Sequence, residues 1–253
     1  MRDLTYPPVI AVARAGFKAL DLRFTITGAE NAPTSGGAVL AVNHIGYVDF
    51  ILAGYAMHPA RRLVRFMAKR ELFDSTVSGP LMRSLNHISV DRAAGAASYR
   101  AALEYLRGGE MVGIFPEATI SRSFELKEFK NGATRLAASA KVPVIPLILW
   151  GTQRIYTKDH PRDFSRGKTI SIAIGEPLYP DKRDHDQAHL ELGNRMAALL
   201  DSTIRAYPEM PPGAWWLPKR YGGSAPTLEE AQALDEAELR ERAARHATRR
   251  GTS

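Results

Sequence analysis

The sequence predicts an α/β fold: a central mixed sheet flanked by helices, with an amphipathic helical segment before it and a helical extension after it. Three observations carry that prediction. Apolar runs of strand length alternate with longer segments of helical periodicity. Pro and Gly punctuate the junctions, as at Ala32–Gly37 and Gly108–Gly109. Several apolar runs lead straight into polar residues, the pattern of strand ends that carry ligand-binding loops. Of 253 residues, 45% are hydrophobic, enough for one large domain, or one domain with a small appendage.

The elements follow in order. In segment 9–20, VIAVARAGFKAL, Val9, Val12, Ala13, Phe17 and Leu20 recur at helical spacing, while Arg14 and Lys18 share another face. Gly16 weakens this helix by about 1 kcal/mol relative to Ala. The helix packs on its own domain, lies in a membrane interface, or does each with opposite sides. Phe24–Thr27 and Ala38–Val42 read as strands, Asp49–Met57 as a helix, and Leu63–Ala68 as a strand within the basic cluster Arg61, Arg62, Arg65, Lys69 and Arg70. Ile88–Val90 is a short strand, and Ala96–Arg107 a helix ended by two glycines. Strand Met111–Phe115, helix Ala133–Ala140, and strands Val144–Trp150 and Thr169–Ile174 follow. Ala188–Tyr207 is a strong helix with Leu192, Met196, Leu199, Leu200 and Ile204 on one face. Met210–Pro226 reads as a linker or edge wrap containing Trp215 and Trp216, and Thr227–Arg250 as a charged helix. The expected division is 1–22, an amphipathic membrane-associating helix; 23–209, the main domain; and 210–253, linker and tail.

The formal net charge is +7, yet from Thr227 onward six acids meet five Lys and Arg, so the excess lies in the first 226 residues. A basic body points to acidic partners, such as nucleic acid, anionic lipid or phosphorylated substrates. No RNA- or DNA-binding motif is present, so nucleic acid is not expected. The absence of cysteine excludes disulfides, thiolate metal sites and a cysteine nucleophile. Arg14 and Lys18 interrupt the apolar start, which argues against a signal peptide. No window approaches the roughly 20 apolar residues of a membrane span.

Two blocks carry chemistry. In AVNHIGYVDF, His44 precedes Asp49 by five residues. On one helix these would stand about 140° apart, so they meet only across a bend. His44 would end a strand, Gly46 permit the turn and Asp49 open the next helix. The carboxylate can then take one ring N–H and leave the other nitrogen as a general base. The alternative is a loop histidine beside a helix-capping Asp. One His and one Asp are too few for a metal hydrolase site, and no G-x-S-x-G elbow offers a serine nucleophile. A base here would therefore activate a substrate hydroxyl. The second block, Phe115-Pro116-Glu117-Ala118-Thr119-Ile120-Ser121-Arg122, follows a strand directly. Its carboxylate, hydroxyls and guanidinium suit a polyol and a phosphate, or form a solvated loop.

Together these blocks resemble the glycerolipid acyltransferase family, of 1-acylglycerol-3-phosphate acyltransferase type. The N-H-x-x-x-x-D signature is Asn43, His44 and Asp49; the motif ending in I-D-R is similar to Ser89–Arg92. F-P-E-G-T-R-S is similar to Phe115–Ser121, and the V-P-V-I-P block is Val142–Pro146. Ala68–Leu72 and Phe129–Gly132 echo smaller family pieces, and the resemblance covers about Phe24 to Pro177. It implies that His44 is the base, oriented by Asp49, for attack of an acceptor hydroxyl on an acyl thioester without an acyl-enzyme. The donor would be acyl-CoA or acyl-carrier protein, as co-substrate, with no cofactor and no metal. The acceptor would be a lysophospholipid or glycerol phosphate, gripped by Glu117, Thr119 and Arg92. Lys69 and Lys130 are further cationic candidates, or ordinary surface charges. Asp91 is read as a partner for a nearby Arg.

Two departures stand out. Ile120 occupies the family's Arg position and Ala118 its Gly position. Arg122 would supply the missing cation if the loop bends, or else the acceptor carries a larger head group. The resemblance also implies a peripheral or monotopic place at the cytoplasmic face of an anionic membrane. The N-terminal helix and the Trp215–Trp216 pair are candidate anchors, the Trp pair alternatively packing on the domain. A non-catalytic basic membrane- or nucleic-acid-binding protein is the rival of another class.

Overall fold

A computed structural model describes residues 4–91, 95–181 and 183–251. The chain divides into two compact units, one of Met1–Ile120 with Glu128–Pro208, the other of Ser121–Lys127 with Glu209–Ser253. Residues 1–22 fall within the sheet's unit, and seven residues of the Phe115–Ser121 region and beyond, Ser121–Lys127, fall with the tail.

The first unit is a seven-stranded sheet in the order β1-β7-β6-β2-β5-β3-β4. Its strands are β1 (Arg23–Thr27), β2 (Ala38–Val42), β3 (Val64–Lys69), β4 (Ile88–Val90), β5 (Met111–Ile114), β6 (Val144–Trp150) and β7 (Thr169–Ile174). β6, β2, β5, β3 and β4 run parallel; β7 pairs antiparallel with β6, and β1 follows β7. Every residue of β2, β6 and β7 is buried. Such strands, covered on both faces, read as unbroken apolar runs. Gly113 in β5 is required by close packing, since a Cβ there would lie 2.5 Å from the Phe66 ring.

The helices are α1 (Tyr6–Ala19), α2 (Asp49–Ala56), α3 (Arg70–Asp74), α4 (Ser78–Ser84), α5 (Gly95–Arg107), α6 (Gly132–Ala140), α7 (His185–Arg205) and α8 (Leu228–Gly251). α7 buries Leu192, Met196, Leu200 and Ile204, the face read from its periodicity. α1 packs through Phe17, whose ring meets Phe24 at 5.4 Å and Tyr55 at 5.1 Å. The Tyr6 hydroxyl lies 3.0 Å from the carbonyls of Val64 and Leu85. Val12, grouped by sequence with the packed face, is 73% exposed. It stands five residues from Phe17, about 140° around the helix.

Most of the basic cluster is structural. Arg62 donates to the carbonyls of Pro33, Gly36 and Gly109 (3.3, 2.6 and 2.7 Å). Buried Arg65 donates to Leu85 O at 3.2 Å and stands 5.1 Å over the Tyr6 ring. Arg70 pairs with Asp91 at 2.8 Å, the role expected for Asp91, and with Asp74 at 3.4 Å.

In the second unit, α8 opens on a reciprocal capping box. The Glu230 amide donates to Thr227 Oγ1 (3.2 Å), and the Thr227 amide to Glu230 Oε2 (2.7 Å). Trp216 and Leu217 are buried, and Trp215 meets Phe124 edge-on at 6.0 Å. Trp216 therefore packs within this unit, the packing alternative read for it, while Trp215 is half-buried.

His87 Nδ1 accepts the Phe66 amide at 3.1 Å, which leaves this ring neutral. Burial, reinforced by nearby Arg65, pushes its pKa down to about 4 from the ordinary 6.5. Between those values the unfolded chain binds a proton that the folded one does not. Stability is therefore full above about pH 6.5 and falls toward pH 4, by roughly 3 kcal/mol for this shift. His87→Asn keeps an acceptor for Phe66 but does not titrate. Denaturant unfolding from pH 7 to pH 4 should show a correspondingly shallower loss of stability in that variant; equal losses would exclude His87 as the cause.

Candidate active site

The parallel strands β6, β2, β5, β3 and β4 end along one carboxyl edge, where α/β folds place ligands. Asn43 fixes where β2 stops. Its fully buried amide donates to Leu149 O at 3.0 Å and accepts Leu149 N–H at 2.7 Å, replacing a rung of the ladder with β6. The chain then bends, and His44 and Asp49 meet as the spacing requires, His44 Nδ1 to Asp49 Oδ2 at 3.0 Å.

Asp49 is fully buried and carries four hydrogen bonds. Besides His44, Oδ2 accepts the amides of Ile45 (2.7 Å) and Gly46 (2.8 Å), and Oδ1 accepts the Thr152 hydroxyl (2.6 Å). A carboxylate out of water is tolerated only when paired and bonded in this way. Asp49 begins α2 but does not cap it; no side chain does, and the carboxylate turns back into the preceding loop. The helix-cap alternative thus gives way to a histidine–carboxylate pair. With Nδ1 bound to Asp49, Nε2 is the ring's second nitrogen and has no partner among the described residues.

The ring is held from the sides as well. It stacks on Phe115 at 4.2 Å with an interplanar angle of 26°, and Phe115 stacks on Phe66 at 5.8 Å. The His44 amide donates to Glu117 Oε1 at 2.8 Å. Behind the loop stands the segment after β6: Tyr47 N–H reaches Tyr156 O (2.9 Å) and the Thr157 hydroxyl reaches Ile45 O (2.7 Å). A Cβ on Gly46 would lie 3.1 Å from Tyr156 O and 3.2 Å from Thr152 O, a tight fit for any side chain.

Residues 23–150 match the protein family described as Acyltransferase. A 1-acyl-sn-glycerol-3-phosphate acyltransferase of Bacillus subtilis (strain 168) is 33% identical over 182 residues, 72% of this chain and 84% of that protein. The chain belongs to the glycerolipid acyltransferase family. A chloroplastic 1-acyl-sn-glycerol-3-phosphate acyltransferase, BAT2 of Brassica napus, is 29% identical over 163 residues, 63% of this chain and 46% of its own length. The crystal structure of the 1-acyl-sn-glycerophosphate (LPA) acyltransferase PlsC from Thermotoga maritima shares the fold, with a TM-score of 0.66 over 80% of each chain at 23% identity. The protein is accordingly an O-acyltransferase of phospholipid biosynthesis, and the non-catalytic and metal-hydrolase readings fall away.

The other acyltransferase motif residues are distributed unevenly. Glu117 is buried and bonded to His44, with Thr119 two residues on; the Thr119 amide donates to Glu117 O at 2.8 Å. Ala118, at the family's glycine position, has φ +60°. A side chain there costs about 1 kcal/mol relative to glycine. Lys69, exposed, ends β3, two strands from β2 and so about 10 Å along the edge. Lys130 is exposed, and its amide closes the loop on Pro116 O at 3.0 Å. Arg92 lies outside the described residues. Arg122 is not offered to a phosphate: it is buried, with its guanidinium held by Asp235 and by Glu238 (2.9 Å). Ile120 is buried too.

Sequence reasoning missed Thr152 and Thr157. Their one signal was position, a Gly-Thr-Gln run directly after β6, the strand beside β2. Thr152→Val removes only the hydroxyl and leaves Asp49 Oδ1 short of a donor, a loss on the order of 1–3 kcal/mol. We expect kcat to fall at least tenfold with both KM values unchanged, and Thr152→Ser to restore it. Steady-state kinetics check this; an unaltered kcat in Thr152→Val would contradict the role.

Proposed function

We propose that the protein moves a fatty acyl group from acyl-CoA to the free hydroxyl of 1-acylglycerol-3-phosphate, giving phosphatidate. The observation that carries this reading is the His44–Asp49 bond, with Nδ1 on a buried carboxylate. His44 Nε2 takes the acceptor's hydroxyl proton as its oxygen attacks the thioester carbonyl. The tetrahedral intermediate collapses, the C–S bond breaks, and the departing sulfur receives that proton from Nε2. An ester and a free thiol result, with His44 neutral again and Asp49 ionised throughout. The amides of His44, Ile45, Gly46 and Tyr47 are already donated within the protein. We therefore assign the charge that develops on the carbonyl oxygen to side-chain donors at neighbouring strand ends. Acyl-carrier protein presents the same thioester and is the alternative donor.

Glu117, Thr119, Lys69 and Lys130 are assigned to the acceptor, with Arg92 as a further cation. A second reading, the same chemistry on a lysophospholipid with a larger head group, is favoured by one observation. The loop offers no guanidinium, since Ile120 replaces one and Arg122 is engaged by Asp235 and Glu238.

Membrane contact is assigned to the cytoplasmic face and an anionic surface, as a peripheral or monotopic protein. Among the described residues no helix is long and apolar enough to cross a membrane. Leu4, just before α1, and Val12, Arg14 and Lys18 on it are exposed, and the α3–α4 segment displays Leu72, Leu81 and, at 88% exposure, Val77. Apolar residues beside cations suit a leaflet surface.

Purified protein incubated with acyl-CoA and a panel of lysophospholipids should release thiol in an acceptor-dependent way. His44→Ala should lower that rate by about 10²–10⁴-fold. Equal turnover in wild type and variant would exclude His44 as the base, and the panel's preferred member decides between the two acceptors.

A further inference from the structure

The loop between β5 and α6 is built by two parts of the chain. Its base belongs to the sheet unit, where Pro116 O accepts the Lys130 amide at 3.0 Å and the first turn holds Glu117 and Thr119. Its middle, Ser121–Lys127, belongs to the compact unit formed by Glu209–Ser253. Within that unit the grip is extensive. Asp235 and Glu238, three residues apart and so on one face of α8, both bind Arg122, which is only 8% exposed. Asp235 also takes Lys127 at 3.0 Å, and Glu125 pairs with Arg220 at 2.8 Å. Ser121 Oγ lies 3.0 Å from Ser123 Oγ and donates to Glu125 O at 2.7 Å. Phe124 is buried at φ +58°. A side chain persists in that strained conformation only where its surroundings over-determine it.

The bonds of Arg122 and Lys127 to α8 join residues more than a hundred positions apart in sequence, and the tail lies beyond the matched family segment 23–150. A free loop of this length would sample many conformations. We propose that α8 braces the acceptor loop, with Asp235 and Glu238 as positioning residues that act through Arg122 and Lys127. They need not touch substrate; by holding the loop's middle they restrict the turn that presents Glu117 and Thr119. The kinetic part of this inference rests on the acyl-transfer reading above.

The test uses the full chain, as wild type, as Asp235→Asn/Glu238→Gln, and as Glu229→Gln/Glu236→Gln, which removes two charges elsewhere on the same helix. If the first double variant does not fold, Glu238→Gln alone replaces it. Trypsin cleavage after Arg122 and Lys127, followed by mass spectrometry, reads the brace without reference to activity. Steady-state kinetics with acyl-CoA and the best lysophospholipid read its consequence. Cleavage at both sites should quicken, and acceptor KM should rise about tenfold, equivalent to 1.4 kcal/mol. Donor KM should stay within about twofold, and the control should match wild type, since one loop is loosened and little else. Unchanged cleavage overturns the brace. Faster cleavage with unchanged acceptor KM overturns its positioning role. A lowered acceptor KM also overturns it, and would show the tail withholding Arg122 from the phosphate. Should the wild type transfer no acyl group to any lysophospholipid, the activity reading fails, and the cleavage rates alone then decide whether α8 holds the loop.

Discussion

The fully buried carboxylate of Asp49 is the constraint on which the site depends. An ion of this size out of water carries a penalty of several kcal/mol, offset only by good geometry with several donors. Four are assembled here, from His44, Ile45, Gly46 and Thr152. Each demands something of the surrounding chain. The two amides point inward only if the strand ends at Asn43 and the loop turns at once. The Thr152 hydroxyl arrives only if β6 lies directly beside β2. Gly46 leaves little room for a side chain, since two carbonyls of the segment after β6 lie close to it. The bonds that make the buried charge tolerable are thus the ones that set the histidine ring.

The parallel sheet supplies the geometry. Adjacent strand ends stand about 4.8 Å apart, so residues just past β6, β2 and β5 meet directly, without long loops. This is why Thr152, His44 and Glu117 form one bonded set despite their separation in sequence. Phe115 and Phe66 extend the set sideways by stacking, which fixes the ring plane as well as its nitrogen. The left-handed Ala118 is a local cost in the same turn, carried where backbone direction matters for presenting Glu117 and Thr119.

Much of this was legible in the sequence, for identifiable reasons. Strands such as Ala38–Val42, Ile88–Val90, Val144–Trp150 and Thr169–Ile174 are apolar runs bounded by polar residues, Gly or Pro, so their limits stand out. The His44–Asp49 contact was legible because a separation of five is incompatible with one helix face. Other features depend on contacts far apart in the chain, and no local pattern announces them. Thr152 reaches Asp49 across 103 positions, and Arg122 finds its acids 113 and 116 positions away. Arg122 therefore read as a phosphate ligand when it is part of a buried ion-pair group. The short helices α3 and α4 were not foreseen, being too brief to show a period.

The most direct measurement of whether Asp49 sets the histidine for base catalysis is the tautomer of His44, by NMR of the protein labelled with nitrogen-15 at histidine and assigned through His44→Ala. When the ring is neutral, the proton should reside on Nδ1, with Nε2 bare and able to take a proton from the acceptor. A proton found on Nε2, with Nδ1 bare, would contradict that arrangement.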